Sequence, residues 1–204
     1  GKRALTDEQC QALGRHPLGG GCENISDMVL LTTRAAQSSR ISRTYRQGFL
    51  RPGLEKSSWT SRTNYPVQGI LPTGKGEISI YVQRDYGFKS NRLERLVLRT
   101  DGFASVRAPY AGGELLTRTL NFSGQELVVN YATSAAGSIQ VEIQDASGAP
   151  LNGFGLEDCP QLIGDEIERV VRWKQGNDLS ELQGKPIQLR FVMRDSDLYS
   201  LKFR

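Results

Sequence analysis

Apolar and polar residues alternate with period two along the C-terminal part of the chain. Ile139, Val141 and Ile143 are separated by glutamine and glutamate. The alternation continues in two later segments, 185–195 and 197–203. Period two places one face of a strand in a core and the other in water, which is typical of antiparallel sheets in a β-sandwich. The sequence therefore predicts an all-β fold, an antiparallel β-sandwich similar to a jelly roll.

Turn residues divide the rest of the chain into short elements. About eight strands are predicted from Leu93 onward, including a hairpin at Asp101-Gly102 and a short strand in 154–158. Strands are also predicted in 25–34 and 77–83, and a helix capped by Thr6 is predicted near the N-terminus. Three regions follow: a flexible or short-helical segment (1–24), a loop-rich β segment packing on the sandwich (25–90) and the sandwich itself (91–204).

The predicted core is the inward face of the alternating segments. Its members are the apolar residues at every second position: Ile139, Val141, Ile143, Leu189, Phe191, Leu201 and Phe203. Trp173 is also expected in the core, since it lies beside Val171 on a predicted strand.

The net charge of +4 is accompanied by one basic region, Arg34 to Arg62, which is nearly free of acids. Its arginines either pair with acids elsewhere or bind an anionic ligand such as a sulfated or uronic-acid sugar. Basic residues are not otherwise clustered beside aromatic ones, so no nucleic-acid partner is expected. No membrane span is expected, because no run approaches the roughly 20 apolar residues that one requires.

Cysteine and histidine are too few for most metal or nucleophilic chemistry. Cys10 and Cys22 are close enough in sequence to close a small loop, and Cys159 is left over. His16 is the only histidine, so zinc is not expected and a Ser-His or Cys-His system would depend on it. We expect no cofactor, with structural calcium as the alternative.

Acidic residues cluster in two turns, where they either cap local structure or carry chemistry. A glycosidase needs two carboxylates across the bond that it cleaves, and the candidates are Glu157, Asp165 and Asp195. A calcium ion needs several oxygen ligands, and the candidates are Asp145, Asp158 and Asp197. The simpler interpretation is that all of them are turn and cap residues, which leaves no catalytic or metal residue.

Aromatic residues in loops are the better candidates for ligand binding. A flat ring packs on the apolar face of a sugar, while neighbouring arginine or asparagine side chains bond its hydroxyls. Trp59, Arg62, Tyr65 and Tyr110 have this character. The alternative is that the rings anchor loops to the sheet.

Long phrases resemble one family of bacterial proteins. They include FLRPGL, SRTNYPVQGILPTGKGEISIYV, LVLRTDGFASV, NYATSAAGSIQVEIQDASGAPLNGF and LQGKPIQLRFVMRDSDLYSLKF. Residues 25–204 look like the C-terminal part of putative glycoside hydrolases common in planctomycetes and similar to glycoside hydrolase family 32. In that family a five-bladed β-propeller precedes a β-sandwich.

The resemblance implies that residues 25–90 correspond to the end of a propeller and 91–204 to the terminal sandwich. The family's early Asp-nucleophile motif has no counterpart here. Glu157 to Pro160 is close to its ECP motif and Arg194 to Ser196 to its RDP motif, but both lie in the predicted sandwich, so we treat them as coincidence. An extracellular or periplasmic location is implied.

The sequence therefore predicts a non-catalytic β-sandwich of a carbohydrate-active protein. It either binds a poly- or oligosaccharide or supports an upstream propeller domain. The alternatives are a glycoside hydrolase that uses paired carboxylates and a protein-interaction module built on the Arg34–Arg62 segment.

Overall fold

The computed structural model describes residues 6–15, 25–34, 39–60 and 62–204. The chain divides into two compact units, Gly1–Val97 and Leu98–Arg204. Strands predominate and the strand pairings among the described residues are antiparallel, which confirms the prediction of an all-β, sandwich-type fold. The predictions for His16 and for the pairing of Cys22 lie outside the described residues.

The N-terminal helix forms as predicted. Helix α1 (Asp7–Ala12) begins after Thr6, whose hydroxyl accepts the Gln9 N–H while the Gln9 side chain accepts the Thr6 N–H. This reciprocal capping box satisfies two N–H groups that the first turn would otherwise leave unbonded. Cys10 is buried and disulfide-bonded, whereas Cys159 is a buried free thiol.

Two sheets build the first unit. A ribbon pairs β1 (Thr32–Thr33) with β2 (Ile41–Ser42), and a four-stranded sheet contains β3 (Tyr65–Pro66), β4 (Leu71–Gly74), β5 (Glu77–Arg84) and β6 (Arg92–Arg99). The last two residues of β6 belong to the second unit. Strand β5 is central and confirms the prediction for 77–83. The prediction of a strand across 25–34 is mostly wrong, since only β1 and an isolated bridge between Met28 and Leu50 form there.

One sheet dominates the second unit. Its strands are β7 (Val106–Ala108), β8 (Gly113–Leu116), β9 (Leu127–Asp145), β10 (Asp165–Val170) and β11 (Ile187–Phe203). The order is β10-β9-β11-β7, and β8 also pairs with β11. Each long strand, β9 and β11, merges two strands that the sequence predicts separately.

The two long strands lose their register at one point. Arg194 pairs with Ser138, but Ser196 pairs with Thr133, so four residues of β9 lie opposite Asp195. Gly137 is required there, because a Cβ atom would lie 2.3 Å from the Asp195 carbonyl oxygen. The strand segments on both sides of this bulge contribute side chains to a single core cluster.

The bulge also changes which residues of β11 point inward. Leu189 and Phe191 are fully buried as predicted, with Ile143 and Val141 opposite them, and the buried Ile139 lies opposite Met193. Beyond the bulge the even-numbered Ser196 and Leu198 are buried, and a second irregularity returns the odd positions inward. Leu201 and Phe203 therefore reach the core but are only partly buried. Trp173 is buried and its indole N–H donates to the Val141 carbonyl.

Three local predictions are corrected. Strands β6 and β7 flank a turn with Asp101 at φ 59°, but they pair with β5 and β11 instead of with each other. Residues Leu156–Asp158 form a 3-10 helix and not a strand. The face of β9 predicted to be wet is covered: Glu142 and Gln144 are buried, and the Gln140 amide donates to the carbonyls of Leu156 and Cys159.

Candidate docking and ligand-binding surfaces

One face of the four-stranded sheet presents apolar side chains to solvent. Tyr65 and Leu71 pair with Gln83 and Ser79 of β5, so they share the face of those residues. On the other side of β5, the Arg95 guanidinium donates to the Ser79 hydroxyl, which places Arg95 on this face too. Leu93 and Val97 lie two residues before and after Arg95 and project the same way. We call this surface the docking face.

The docking face is substantially exposed. Its four apolar members have about half or more of their surface accessible: Tyr65 50 %, Leu71 51 %, Leu93 61 % and Val97 53 %. A soluble protein exposes single apolar residues routinely, but several on one sheet face are typical of an interaction surface.

A polar cluster fixes the centre of the docking face. Arg95 donates to the Ser79 hydroxyl over 2.8 Å and to the Thr73 hydroxyl over 3.1 Å, and it pairs with Glu77. The Thr73 hydroxyl also bonds to Glu77 over 2.7 Å. These bonds cross from β4 over β5 to β6, so they hold the strand positions that present the apolar side chains.

The opposite face of the same sheet is covered. Ile80 and Val82 are buried there, and Arg84 bonds to the Asn64 side chain and pairs with Glu94 over 3.1 Å. The sheet is therefore asymmetric, with one buried and one exposed apolar face.

Trp59 and Arg62 lie in the loop that precedes β3. The Trp59 indole N–H donates to the Gly53 carbonyl over 2.8 Å, and the residue is 41 % exposed. Arg62 adopts φ 62°, and its guanidinium lies 5.6 Å from the centre of the Tyr86 ring. Burial lowers the pKa of Arg15, and the charge of Arg62 lowers it further. The loop is thus basic and anchored by hydrogen bonds.

Tyr110 lies in the second unit, in the turn between β7 and β8. The residue is 61 % exposed, and the Arg194 guanidinium lies 4.2 Å from its ring centre. Gly112 closes the turn with φ 90°, and the Pro109 carbonyl accepts the N–H groups of Gly112 and Asp195. The turn therefore holds an exposed aromatic ring and a guanidinium side by side.

The candidate catalytic carboxylates lie in different elements. Glu157 is in the 3-10 helix, Asp165 begins β10 and Asp195 lies in β11 opposite the bulge of β9. Asp165 pairs with Arg99 over 2.6 Å. The residue that shares a face with Asp165 is Asp197.

Strand register explains why Asp165 and Asp197 share a face of the sheet. Asp165 and Asp197 both pair with Ala132, one from each side, so their Cα atoms are about 10 Å apart at the usual strand spacing. Asp197 accepts a hydrogen bond from the Ser105 hydroxyl over 2.7 Å. Asp165 and Asp197 are therefore the candidate pair of carboxylates for the alternative function of a glycoside hydrolase.

Two of the candidate metal ligands have local partners. The Asp145 carboxylate accepts hydrogen bonds from the Ser147 hydroxyl and from the N–H groups of Ser147 and Ala149, and these bonds lower its pKa. Asp158 pairs with Lys174 over 3.5 Å. In the described ranges, no group of three or more His, Cys, Asp and Glu side chains is arranged to hold a metal.

Sequence reasoning missed two features of the first unit. Leu71, Leu93 and Val97 were not predicted as surface residues, although the apolar residues at both odd and even positions of 92–99 indicate a strand covered on two faces. The opposition of Arg34 and Arg40 across the β1-β2 ribbon was also missed, since it follows from register alone.

Comparison with protein-family models, curated proteins and solved structures found no match to this chain. Within the part of the chain that the structure describes, no helix is both long and apolar enough to cross a membrane.

Proposed function

We propose that this chain is a non-catalytic β-sheet module of a carbohydrate-active protein, and that its first unit supports a catalytic β-propeller. The observation that carries the proposal is the docking face. The carbohydrate context rests on the family resemblance of residues 25–204.

The first unit has the features expected of a sheet that packs against a propeller blade. Blades are four-stranded antiparallel sheets, and the first unit contains a four-stranded sheet whose consecutive strands β4, β5 and β6 form a meander. Removing the exposed parts of Tyr65, Leu71, Leu93 and Val97 from water would stabilise such packing.

The edge of the sheet favours face-to-face packing over strand addition. Pro66 and Pro72 lie in the edge strands β3 and β4 and lack the N–H group that an added strand would need. At this edge a partner sheet is therefore expected to pack on the docking face and not to add a strand, whereas the opposite edge strand, β6, contains no proline.

Thiol labelling of Leu93→Cys tests the docking. The variant is compared in the 204-residue chain and in the product of the complete reading frame, with a maleimide reagent. We expect labelling to be about tenfold slower or more in the complete product. The reason is that a docked state favoured over the undocked state by only about 1.4 kcal/mol already lowers the fraction of exposed thiol by that factor.

Leu116→Cys is the matched control. Leu116 is 54 % exposed in the second unit, so its labelling rate should be the same in both proteins. Equal rates for Leu93→Cys in both, or a complete reading frame that encodes no propeller, would contradict the proposal.

A second candidate function is glycan binding by the chain itself. The observation that favours it is the pairing of Tyr110 with Arg194, an exposed ring beside a guanidinium that can bond sugar hydroxyls. This function is compatible with docking, because it uses the second unit.

A further inference from the structure

Positive charge is concentrated in one segment of the first unit. Between Ile25 and Leu54 the sequence contains five arginines and a single acid, Asp27. The net charge of this segment is therefore +4, which equals that of the whole chain. The remaining residues are balanced, so the charge of the protein is a local property.

The ion pairs of the described residues do not include the arginines of this segment. Within the described residues, none of them has a carboxylate within ion-pair distance: Arg34, Arg40, Arg43, Arg46 and Arg51. The arginines of the adjacent sheet differ, since Arg84, Arg92 and Arg95 each pair with at least one carboxylate. Among the described residues, the basic segment therefore differs from the adjacent sheet in that its arginines have no carboxylate partner.

Strand register brings two of the arginines together. Thr32 pairs with Ser42 and Thr33 with Ile41, so Arg34 and Arg40 come next in the same register. The Thr33 hydroxyl donates to the Arg40 carbonyl over 3.0 Å, which ties the strands at this point. Like charges directly opposite each other across a ribbon are destabilising unless something neutralises them.

Hydroxyl groups accompany the two arginines. Alternation places Thr32 and Ser42 on the ribbon face that carries Arg34 and Arg40. Together with Thr33 and Ile41 they line a cavity of about 530 Å³. The cavity thus offers two guanidinium groups and several hydroxyls as hydrogen-bond donors.

We propose that the β1-β2 ribbon binds an anionic polysaccharide through its sulfate or uronate groups. Arginine forms bidentate hydrogen bonds with such oxyanions, and the hydroxyl side chains suit the sugar hydroxyls between them. The described lining residues of the cavity include no aromatic ring on which a nucleobase could stack, so the observations favour a glycan over a nucleic acid. The inference rests on the carbohydrate association proposed above, but not on propeller docking.

Binding of defined polymers to the full chain tests the proposal. The probes are dextran sulfate, polygalacturonate, uncharged dextran and duplex DNA, measured by calorimetry at fixed salt. We expect the two anionic polysaccharides to bind, dextran not to bind, and DNA to bind more weakly than dextran sulfate. Arg34→Gln/Arg40→Gln should weaken dextran sulfate binding about tenfold or more, since each charge-assisted bond contributes at least that factor.

Two further variants distinguish binding at the ribbon from nonspecific attraction of the polymer to a positively charged protein. Arg118→Gln/Arg172→Gln removes the same charge from two exposed arginines of the second unit, and it should leave binding nearly unchanged. Arg34→Lys/Arg40→Lys keeps the charge but loses bidentate geometry, and it should bind with intermediate affinity.

Three results would overturn the inference: no binding of either anionic polysaccharide, equal weakening by the two glutamine variants, or tighter binding of DNA. None of them affects the Leu93→Cys labelling, so failure here is distinguishable from failure of the docking proposal.

Discussion

The two units differ in where they place their apolar side chains. Among the described residues, the first unit buries four apolar residues and exposes thirteen large ones, whereas the second buries eighteen and exposes four. The second unit therefore contains its own hydrophobic core. The first leaves large apolar side chains accessible to solvent, among them the four of the docking face.

Buried polar groups show the same difference. In the first unit the buried side chains around β3 are mostly polar, and they satisfy one another: the Thr63 hydroxyl donates to Ser58 or Thr60, and the Asn64 amide donates to the Ser26 and Ser58 carbonyls. Such networks fix a loop conformation but contribute little hydrophobic stabilisation. The first unit is thus specified by hydrogen bonds and the second by packing.

The largest expected effect tests this difference with one substitution in each unit. Phe191→Asp places a charge in the core of the second unit, and it should abolish soluble, folded protein. The milder Phe191→Ala should lower the free energy of unfolding by about 3–5 kcal/mol. Both are measured by expression and urea denaturation.

Leu93→Asp is the matched change on the docking face. Because Leu93 is exposed, it should alter the stability of the 204-residue chain by no more than about 0.5 kcal/mol. A large loss from Leu93→Asp, or a stable Phe191→Asp, would contradict the contrast between a unit with a buried apolar core and a unit whose apolar side chains are exposed.

A smaller loss of stability is expected when the buried carboxylate in each unit, Glu142 or Asp85, is replaced by its amide. Glu142 accepts hydrogen bonds from Gln144 over 2.7 Å, from Arg190 over 3.3 Å and from the Leu156 N–H over 3.4 Å. Glu114 and Glu142 together raise the pKa of Arg190. Asp85 pairs with Arg92 over 2.6 Å, but its Oδ1 has no hydrogen-bond partner among the described residues.

Glu142→Gln should therefore cost about 2–3 kcal/mol, since it removes a charge with three donors. Asp85→Asn should cost less than about 1 kcal/mol, because Arg92 is partly exposed and asparagine tolerates the φ of 54° at this position. Thermal unfolding of both variants checks the order, and a reversed order would contradict the account of the two polar networks.

The sequence predicts those parts of the fold that depend on local patterns. Thr6 and Gln9 lie at the spacing of a capping box, and the helix forms there. The apolar face of Ile139, Val141 and Ile143 was correct because period two defines an inward face wherever a strand is regular.

Features that depend on distant pairing were not predictable. Ser134 to Gly137 has the composition of a turn, yet β9 continues through it as a bulge, because β11 pairs with both of its ends. Asp101-Gly102 does form a turn, but local sequence does not determine which strands pair. Glu142 is buried because residues 146–159 fold back on β9, which no periodicity indicates.

The candidate sites show the same limit. Residue type alone predicts Tyr65 and Tyr110 as ligand-binding candidates, and both are exposed. The residues beside them, Gln83 and Arg194, come from other strands, which residue type does not indicate. Arg34 and Arg40 are six positions apart in sequence, and only strand register makes them opposite each other.

The smallest expected effect concerns neutral sugars and again compares the units. Tyr110 in the second unit is exposed beside Arg194, whereas the Trp59 indole N–H in the first unit is already bonded to the Gly53 carbonyl. If the chain binds a neutral oligosaccharide, Tyr110→Ala should weaken it about five- to tenfold, since one aromatic contact contributes about 1 kcal/mol. Trp59→Ala should leave the affinity unchanged.

Titration by calorimetry with neutral oligosaccharides measures both affinities, and unchanged melting temperatures show that each variant is folded. Weakening by Trp59→Ala alone would move neutral glycan binding to the first unit, and the second unit would then be a purely structural sandwich.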